Sequence, residues 1–220
     1  MSHVLAPHLW IDIVTGLRIT AHGAAWLPEH GTAVIADVHL GYARAARRRG
    51  GYLPNVEDAE ALSARVLAMT NALGTRRLVI AGDLRHSTRD VDDGERAEVS
   101  AFLDRLSSLE QVELVAGNHD RGSKNMSPAV QIGDIDIRHV PPGTAPERWT
   151  ICGHIHPSAV LHDETGASAR FPCAMAGSRI LVLPAFTTWA GGTRVARLMK
   201  QLPPGEWRRF VIGGGGVVEM

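Results

Sequence analysis

Asp37-Val38-His39, Gly82-Asp83, Gly117-Asn118-His119-Asp120 and Gly153-His154-Ile155-His156 are four short blocks that share one chemistry. Each supplies oxygen or imidazole ligands, and together they offer enough groups to hold two divalent metals side by side. Such a pair can grip a phosphate and activate a water against it. Asp37 and His39 are two apart, so on a strand they face one way, and at a strand end both reach one ion. Asp83 carries two oxygens with lone pairs and can bridge two ions. Asn118 offers a neutral carbonyl oxygen. His154 and His156 repeat the two-residue spacing, so one strand end can serve both ions. Glycines ahead of Asp83, Asn118 and His154 suit tight turns with close backbone approach. Singly, each block also reads as something plain. Asp-Val-His is a common surface or turn string, Gly-Asn-His-Asp suits an Asx-type turn, and Gly-His-Ile-His suits an exposed edge strand. Their joint occurrence after successive apolar runs favours metal.

Those apolar runs are the elements that must position the ligands. Strand-like runs are Leu9–Val14, Leu17–Thr20, Ala33–Ala36, Leu78–Ala81, Val112–Ala116, Ile135–Val140, Trp149–Cys152, Ile180–Leu183 and Phe210–Ile212. Helical periodicity spans Val56–Leu73, with Ala59, Leu62, Val66, Met69 and Leu73 on one face. It recurs over Glu95–Leu109, with Val99, Phe102, Leu103 and Leu106 on one face. Helices dominate the middle and strands the ends. The joints after Ala36, Gly82 and Gly117 put chemistry at carboxyl ends of strands, where open α/β sheets place ligands. The strand-rich second half predicts a second sheet packed on the first, giving one α/β sandwich with helices outside. The loops at Pro141–Pro146 and Pro203–Gly205 read as connectors, and residues 1–220 as a single domain. Gly213 to Gly216 reads as a turn or loose tail.

The length of 220 residues suffices for one domain with a real core. Acidic and basic residues balance at 23 each, so net charge does not advertise nucleic-acid binding. All the basic residues except Lys124 and Lys200 are arginine. Cys152 and Cys173 have neither metal-type spacing nor the density of a disulfide scaffold, which points to a reducing cytoplasm. No signal peptide is visible, and no apolar run approaches the ~20 residues that span a bilayer, so no membrane partner is expected.

The series of blocks resembles the calcineurin-like metallophosphoesterases, whose pattern is Asp-x-His, Gly-Asp, Gly-Asn-His-Asp/Glu, an isolated His, then Gly-His-x-His. Asp37-Val-His-Leu-Gly-Tyr, Gly82-Asp-Leu-Arg-His, and Leu183-Pro-Ala-Phe followed by Gly191-Gly-Thr look like the small SbcD/Mre-related phosphoesterases and the relatives associated with DNA ligases. The resemblance runs from about Ala33 to Val195. It implies a four-layer αββα sandwich of two facing mixed β-sheets flanked by helices. It also implies that Asp37, His39 and His156 hold one metal with bridging Asp83, and that Asn118 and His154 hold the other with one more histidine. His139, at the end of a strand-like run between the third and fourth blocks, is the candidate. His86, three residues after Asp83, is its rival, with substrate contact or an outer supporting role as alternatives. In this scheme His119 binds no metal and acts as the general acid, oriented and charged by Asp120, while a metal-bridging hydroxide attacks. Mixed His, Asp and Asn ligands suit manganese first, then iron or zinc.

For the substrate, Arg44, Arg47, Arg48 and Arg49 follow the first block, and on a helix would form a basic patch suited to a phosphodiester backbone. A solvated helical face is the competing reading. Tyr42, Tyr52 and Trp189 are candidates for stacking a base, or for packing. The function expected is phosphodiester hydrolysis, nuclease-like on nucleic acid or nucleotides. The alternatives are a phosphomonoesterase acting on nucleotides or phosphoproteins, and a non-catalytic metal-binding scaffold. A homo-oligomer is compatible with the sequence, which does not specify it.

Overall fold

The computed structural model describes residues 8–220 apart from 52, 54, 55 and 90. The first sheet runs in chain order: β1 (Trp10–Val14), β2 (Leu17–Thr20), β3 (Ala25–Leu27), β4 (Thr32–Ile35), β5 (Arg77–Ala81) and β6 (Gln111–Val115). Its first four strands are antiparallel neighbours, whereas β4, β5 and β6 are parallel. The parallel part requires crossovers, and helices supply them. Between β4 and β5 come α1 (Tyr42–Arg48) and α2 (Ala59–Ala72), and between β5 and β6 comes α3 (Asp93–Arg105).

The second sheet contains β7 (Ala129–Ile132), β8 (Ile135–Arg138), β9 (Trp149–Cys152), β10 (Pro157–His162), β11 (Ser168–Gly177), β12 (Ile180–Val182) and β13 (Thr193–Arg194). The hairpin of β14 (Arg208–Gly213) and β15 (Gly216–Glu219) adds to β11. Here β8, β9 and β12 form a parallel triplet, and β10 with β13 is a further parallel pair. Each sheet therefore contains a parallel triplet within otherwise mixed pairing.

Burial follows the period of two. On β4 and β5, Val34 and Val79 enter the core between the sheets, with Leu181, Phe210 and Ile212 opposite. Their neighbours Ala33, Ile35, Leu78 and Ile80 face the other way, against Leu62, Val66 and Met69 of α2 and Phe102 of α3. Such two-sided burial is why these strands read as unbroken apolar runs. Outside the second sheet, Cys152, Met175 and Val182 pack with Val195 and Leu198 of α4 (Val195–Leu198). The layers run helix, sheet, sheet, helix, as expected.

Three local differences have clear causes. Helix α2 starts at Ala59, later than its apolar period suggests, because the Asp58 side chain accepts from Ala61 N and caps it. Strands β10 and β11 carry no apolar alternation in their outer parts, which are exposed, so pattern alone does not find them. Gly213 to Gly216 is no loose tail. Gly214 and Gly215, both with positive φ, form the two-residue turn of the β14–β15 hairpin.

Candidate metal centre

The carboxyl ends of both parallel triplets meet at one place. Asp37 and His39 follow β4, Asp83 follows β5, Asn118 follows β6, His139 follows β8, and His154 and His156 follow β9. The crossing between sheets is direct. His154 N donates to Asp37 Oδ2 at 2.8 Å, and Gly153 N donates to the His139 carbonyl at 3.0 Å. Leu183 N donates to Cys152 O, and Phe186 N donates to Ala36 O at 2.7 Å, so the chain after β12 is sewn to both sheets.

Two groups of ligand atoms result, each close enough to hold a metal ion: Asp37, His39 and His156, and Asp83, His139 and His154. His39 Nε2 and His156 Nε2 are 3.3 Å apart, and His156 Nε2 is 3.4 Å from Asp37 Oδ2. In the second group His139 Nε2 lies 2.9 Å from Asn118 Oδ1, 3.0 Å from His154 Nδ1 and 3.5 Å from Asp83 Oδ1. His139 also links the groups, with Nδ1 3.5 Å from Asp37 Oδ1. The chain thus brings all seven expected ligands together, and His139 rather than His86 joins Asn118 and His154. His86 sits on the other side, in a third group with His39 and His119.

Several observations fit a cation here. Asp37 is fully buried and its Oδ1 lacks a hydrogen-bond partner among the described residues. Pairs of imidazole nitrogens face each other at hydrogen-bond distance, an arrangement that a shared proton or a shared cation satisfies. A side chain on Gly82, Gly117 or Gly153 would strike His139, Asp83 or Asp37 respectively, so each glycine leaves room for one ligand. Of the eight non-glycine residues with positive φ among the described residues, five are Asp37, His39, Asp83, His154 and His156. Such strain at one place is a mark of functional geometry.

The electrostatics agree. Burial pushes His39 down to about 3, against the opposing charge of Asp37. Burial, helped by neighbouring rings, also lowers His154 and His86. Neutral imidazoles keep the lone pair a metal needs. At His156 burial acts downward, but the hydrogen bond and charge of Asp37 outweigh it and raise the value. Burial raises Asp83, with His139 opposing. A divalent cation would reverse that penalty on the carboxylate.

His119 lies beside the second group, its Nε2 3.7 Å from Asp83 Oδ2 and its ring 5.0 Å from that of His39. Its backbone N donates to Asp83 Oδ1. Asp120 does not orient this ring. Its carboxylate accepts from Leu84 N, Arg85 N and Gly117 N, at 3.2, 3.3 and 3.0 Å, and is buried. The partner of His119 Nδ1 is instead the carbonyl of His86. The expectation for Asp120 is corrected because the β5 and β6 loops need their N–H groups satisfied more than the ring needs a carboxylate.

The arginine cluster divides. Arg44 and Arg48, four apart on α1, turn to carboxylates of the α3 region. Arg48 Nη1 is 2.6 Å from Asp92 Oδ2, and Arg44 Nε is 3.5 Å from Glu98 and 3.9 Å from Asp92. Asp92 is also the α3 N-cap. Both expected substrate-binding arginines thus have carboxylate neighbours within the protein. Arg47 borders a cavity that reaches His39, and Arg49 Nη2 lies 3.5 Å from His86 Nε2. Tyr42 packs edge-on against His86, Trp189 is half-buried, and Tyr52 lies outside the described residues.

Two supporting residues escape sequence reasoning. Glu95 is fully buried, and its Oε1 accepts from His86 N and Ser87 N, which shapes the loop that carries His86. Arg85 donates to the carbonyls of His119 and Arg121. Arg85 stands in the Gly-Asp-Leu-Arg-His string and so had a signal. Glu95 reads only as an ordinary first-turn acid.

No protein-family model matches the chain, and no curated protein does. Among solved structures, the crystal structure of Pseudomonas putida nuclease MPE has a TM-score of 0.68 with this chain at 24% identity, covering 93% of this chain and 94% of that one. The chain shares the fold of nuclease MPE. The phosphoesterase Yfce from E. coli, at 17% identity and a TM-score of 0.44 over 86% of this chain and 97% of that one, is too distant to bear on the fold. The likeness to nuclease MPE extends over nearly the whole chain.

Proposed function

We propose that the protein is a binuclear-metal phosphoesterase that hydrolyses phosphodiesters, nuclease-like, as a small relative of the SbcD/Mre type. The observation that carries this is the meeting of Asp37, His39 and His156 with Asp83, Asn118, His139 and His154 at the ends of two parallel triplets. Asp37, His39 and His156 would hold one ion, Asn118, His139 and His154 the other, with Asp83 shared. Manganese suits this donor set first, then iron or zinc. Bound ions would neutralise phosphoryl charge and make water a nucleophile near neutral pH. The chain's own residues do the rest. The His86 carbonyl would accept a hydrogen bond from His119 Nδ1–H, which leaves Nε2, the nitrogen nearest Asp83, as the site where an imidazolium carries the proton to be delivered. From there it can pass to a leaving alkoxide, as general acid catalysis requires. Strained backbone and glycine clearance hold the ligands before substrate arrives.

The test is metal-dependent turnover of a bis-aryl phosphate against a mono-aryl phosphate, with metal content measured. Diester turnover supports the proposal. A strong monoester preference would make the protein a phosphomonoesterase, and metal binding without turnover would leave a scaffold.

A further inference from the structure

On the second-sheet side, the centre opens into a cavity that the metal ligands do not fill. His156 borders it, together with Pro157, Ser158, Pro172 and Pro184. Arg170 and Gly192 also line it, and they border a second, polar hollow completed by Thr193, Arg194 and Arg197. Strand pairing explains the grouping. Ser158 on β10 is opposite Arg194 on β13 and Pro172 on β11. Residues opposite one another on neighbouring strands face the same way, so these three form one row. Arg170, two residues before Pro172, points to the same side. Arg197 comes from α4, directly after β13.

These arginines differ from Arg44 and Arg48. Among the described residues none of the three pairs with a carboxylate, and Arg170 alone is engaged, donating to Gly192 O at 2.9 Å. A further donor is waiting nearby. Ser158 is buried, yet its Oγ lacks a partner among the described residues. An unpartnered buried hydroxyl costs stability unless a ligand satisfies it. Three guanidinium groups without a carboxylate partner among the described residues suit a phosphate, which they grip in a planar fork. The apolar cavity between them and His156 suits a sugar and base.

We propose that Arg170, Arg194 and Arg197 form a second phosphate subsite, which holds the phosphate next to the scissile one in a phosphodiester chain. The intervening nucleoside lies over Pro172 and Pro184. This rests on the phosphoesterase reading of the centre and gives the substrate a direction, outward past His156.

The experiment compares full-length metal-loaded protein with its Arg194→Gln/Arg197→Gln double variant, both on a His119→Ala background that slows cleavage. Calorimetric titration uses a thymidine trinucleotide with two phosphates and a dinucleotide with one. The variant should bind the trinucleotide roughly tenfold more weakly at low salt. Its slope of log affinity against log salt should fall by about 0.7, from one phosphate no longer neutralised on a single strand. The dinucleotide should change far less. An Arg194→Lys/Arg197→Lys variant, which keeps charge but loses the fork, should fall between, and guards against misfolding as the cause. Equal trinucleotide affinity in variant and parent, an equal loss for both ligands, or no binding by the parent would each overturn the subsite. Failure of the metal-loaded wild type to turn over a bis-aryl phosphate would instead overturn the phosphoesterase reading. The titration reads binding alone, so it still decides the subsite in that event.

Discussion

Three backbone N–H groups converge on the Asp120 carboxylate, from Leu84, Arg85 and Gly117. A buried donor left without a partner costs about 1–3 kcal/mol. Asp120→Ala should therefore lower stability by about 3 kcal/mol or more, read as a shifted urea midpoint. Loss of kcat with an unchanged midpoint would return Asp120 to the role of orienting His119. His119 itself should behave in the opposite way. His119→Ala is expected to keep its metal and lose ~10²–10⁴ in kcat. The deficit should shrink as the leaving group of an aryl diester improves. A flat deficit, or metal loss on elemental analysis, would show a structural or ligand role. His86→Ala keeps the carbonyl that holds His119 Nδ1, so it should cost less than His119→Ala.

At the scale of elements, the site depends on loops that glycine lets approach. A side chain at Gly117 would displace Asp83, and one at Gly153 would displace Asp37. Gly153→Ala should thus reduce bound metal per chain more than it reduces helix content by circular dichroism. Full metal occupancy in that variant would mean that Asp37 has room to move. The α1–α3 junction makes a separate claim. Reversing Arg44 and Arg48 to Glu sets them against Asp92 and Glu98. Exposed pairs contribute only about 0–1 kcal/mol each, but reversal adds repulsion at the α3 cap. The melting temperature should drop by a few degrees, with the KM for oligonucleotides changing little. A steep rise in KM at unchanged melting temperature would restore both arginines to the substrate path.

Across the whole molecule, the chain closes on itself: His8 pairs with Val217, and Arg208 joins Glu219 and the Ile13 carbonyl, tying the last hairpin to the first strand. Both cysteines lie inside this closed body. Burial pushes the Cys173 thiol up to about 11 and raises Cys152 further, with the charge of Asp37 adding to burial there. Neither should react with a disulfide reagent at neutral pH until the protein unfolds globally. Fast labelling of the native state would show local opening of the second sheet. The metal-free protein should also lose stability as pH falls. A histidine depressed in the fold binds its proton more readily when unfolded, so stability present above about 6.5 is lost below it. His39, His86 and His154 all act this way, while His156 and Asp83 act oppositely. The urea midpoint in EDTA should fall between pH 7 and pH 5, and a midpoint that rises would show that His156 and Asp83 dominate.

The sequence alone determined what depends on neighbours a few residues apart. Asp37 with His39 and His154 with His156 are legible as ligand pairs because spacing along a strand end sets which way side chains point. Strands β4 and β5 are legible because burial on both faces makes them continuously apolar, and the period of α2 is legible for the same reason on one face. Only the tertiary structure places His139, and not His86, beside Asn118 and His154, since both follow strands and carry no distinguishing neighbour. The choice comes from placing β8 in the second sheet so that its end reaches the Asn118 loop. It likewise decided that Asp120 closes loops, that Arg44 and Arg48 join α3, and that Arg170 and Arg194 share one face through β10. Each of these depends on which distant segments lie side by side, and pairing partners are set by packing of the whole chain rather than by local residue type.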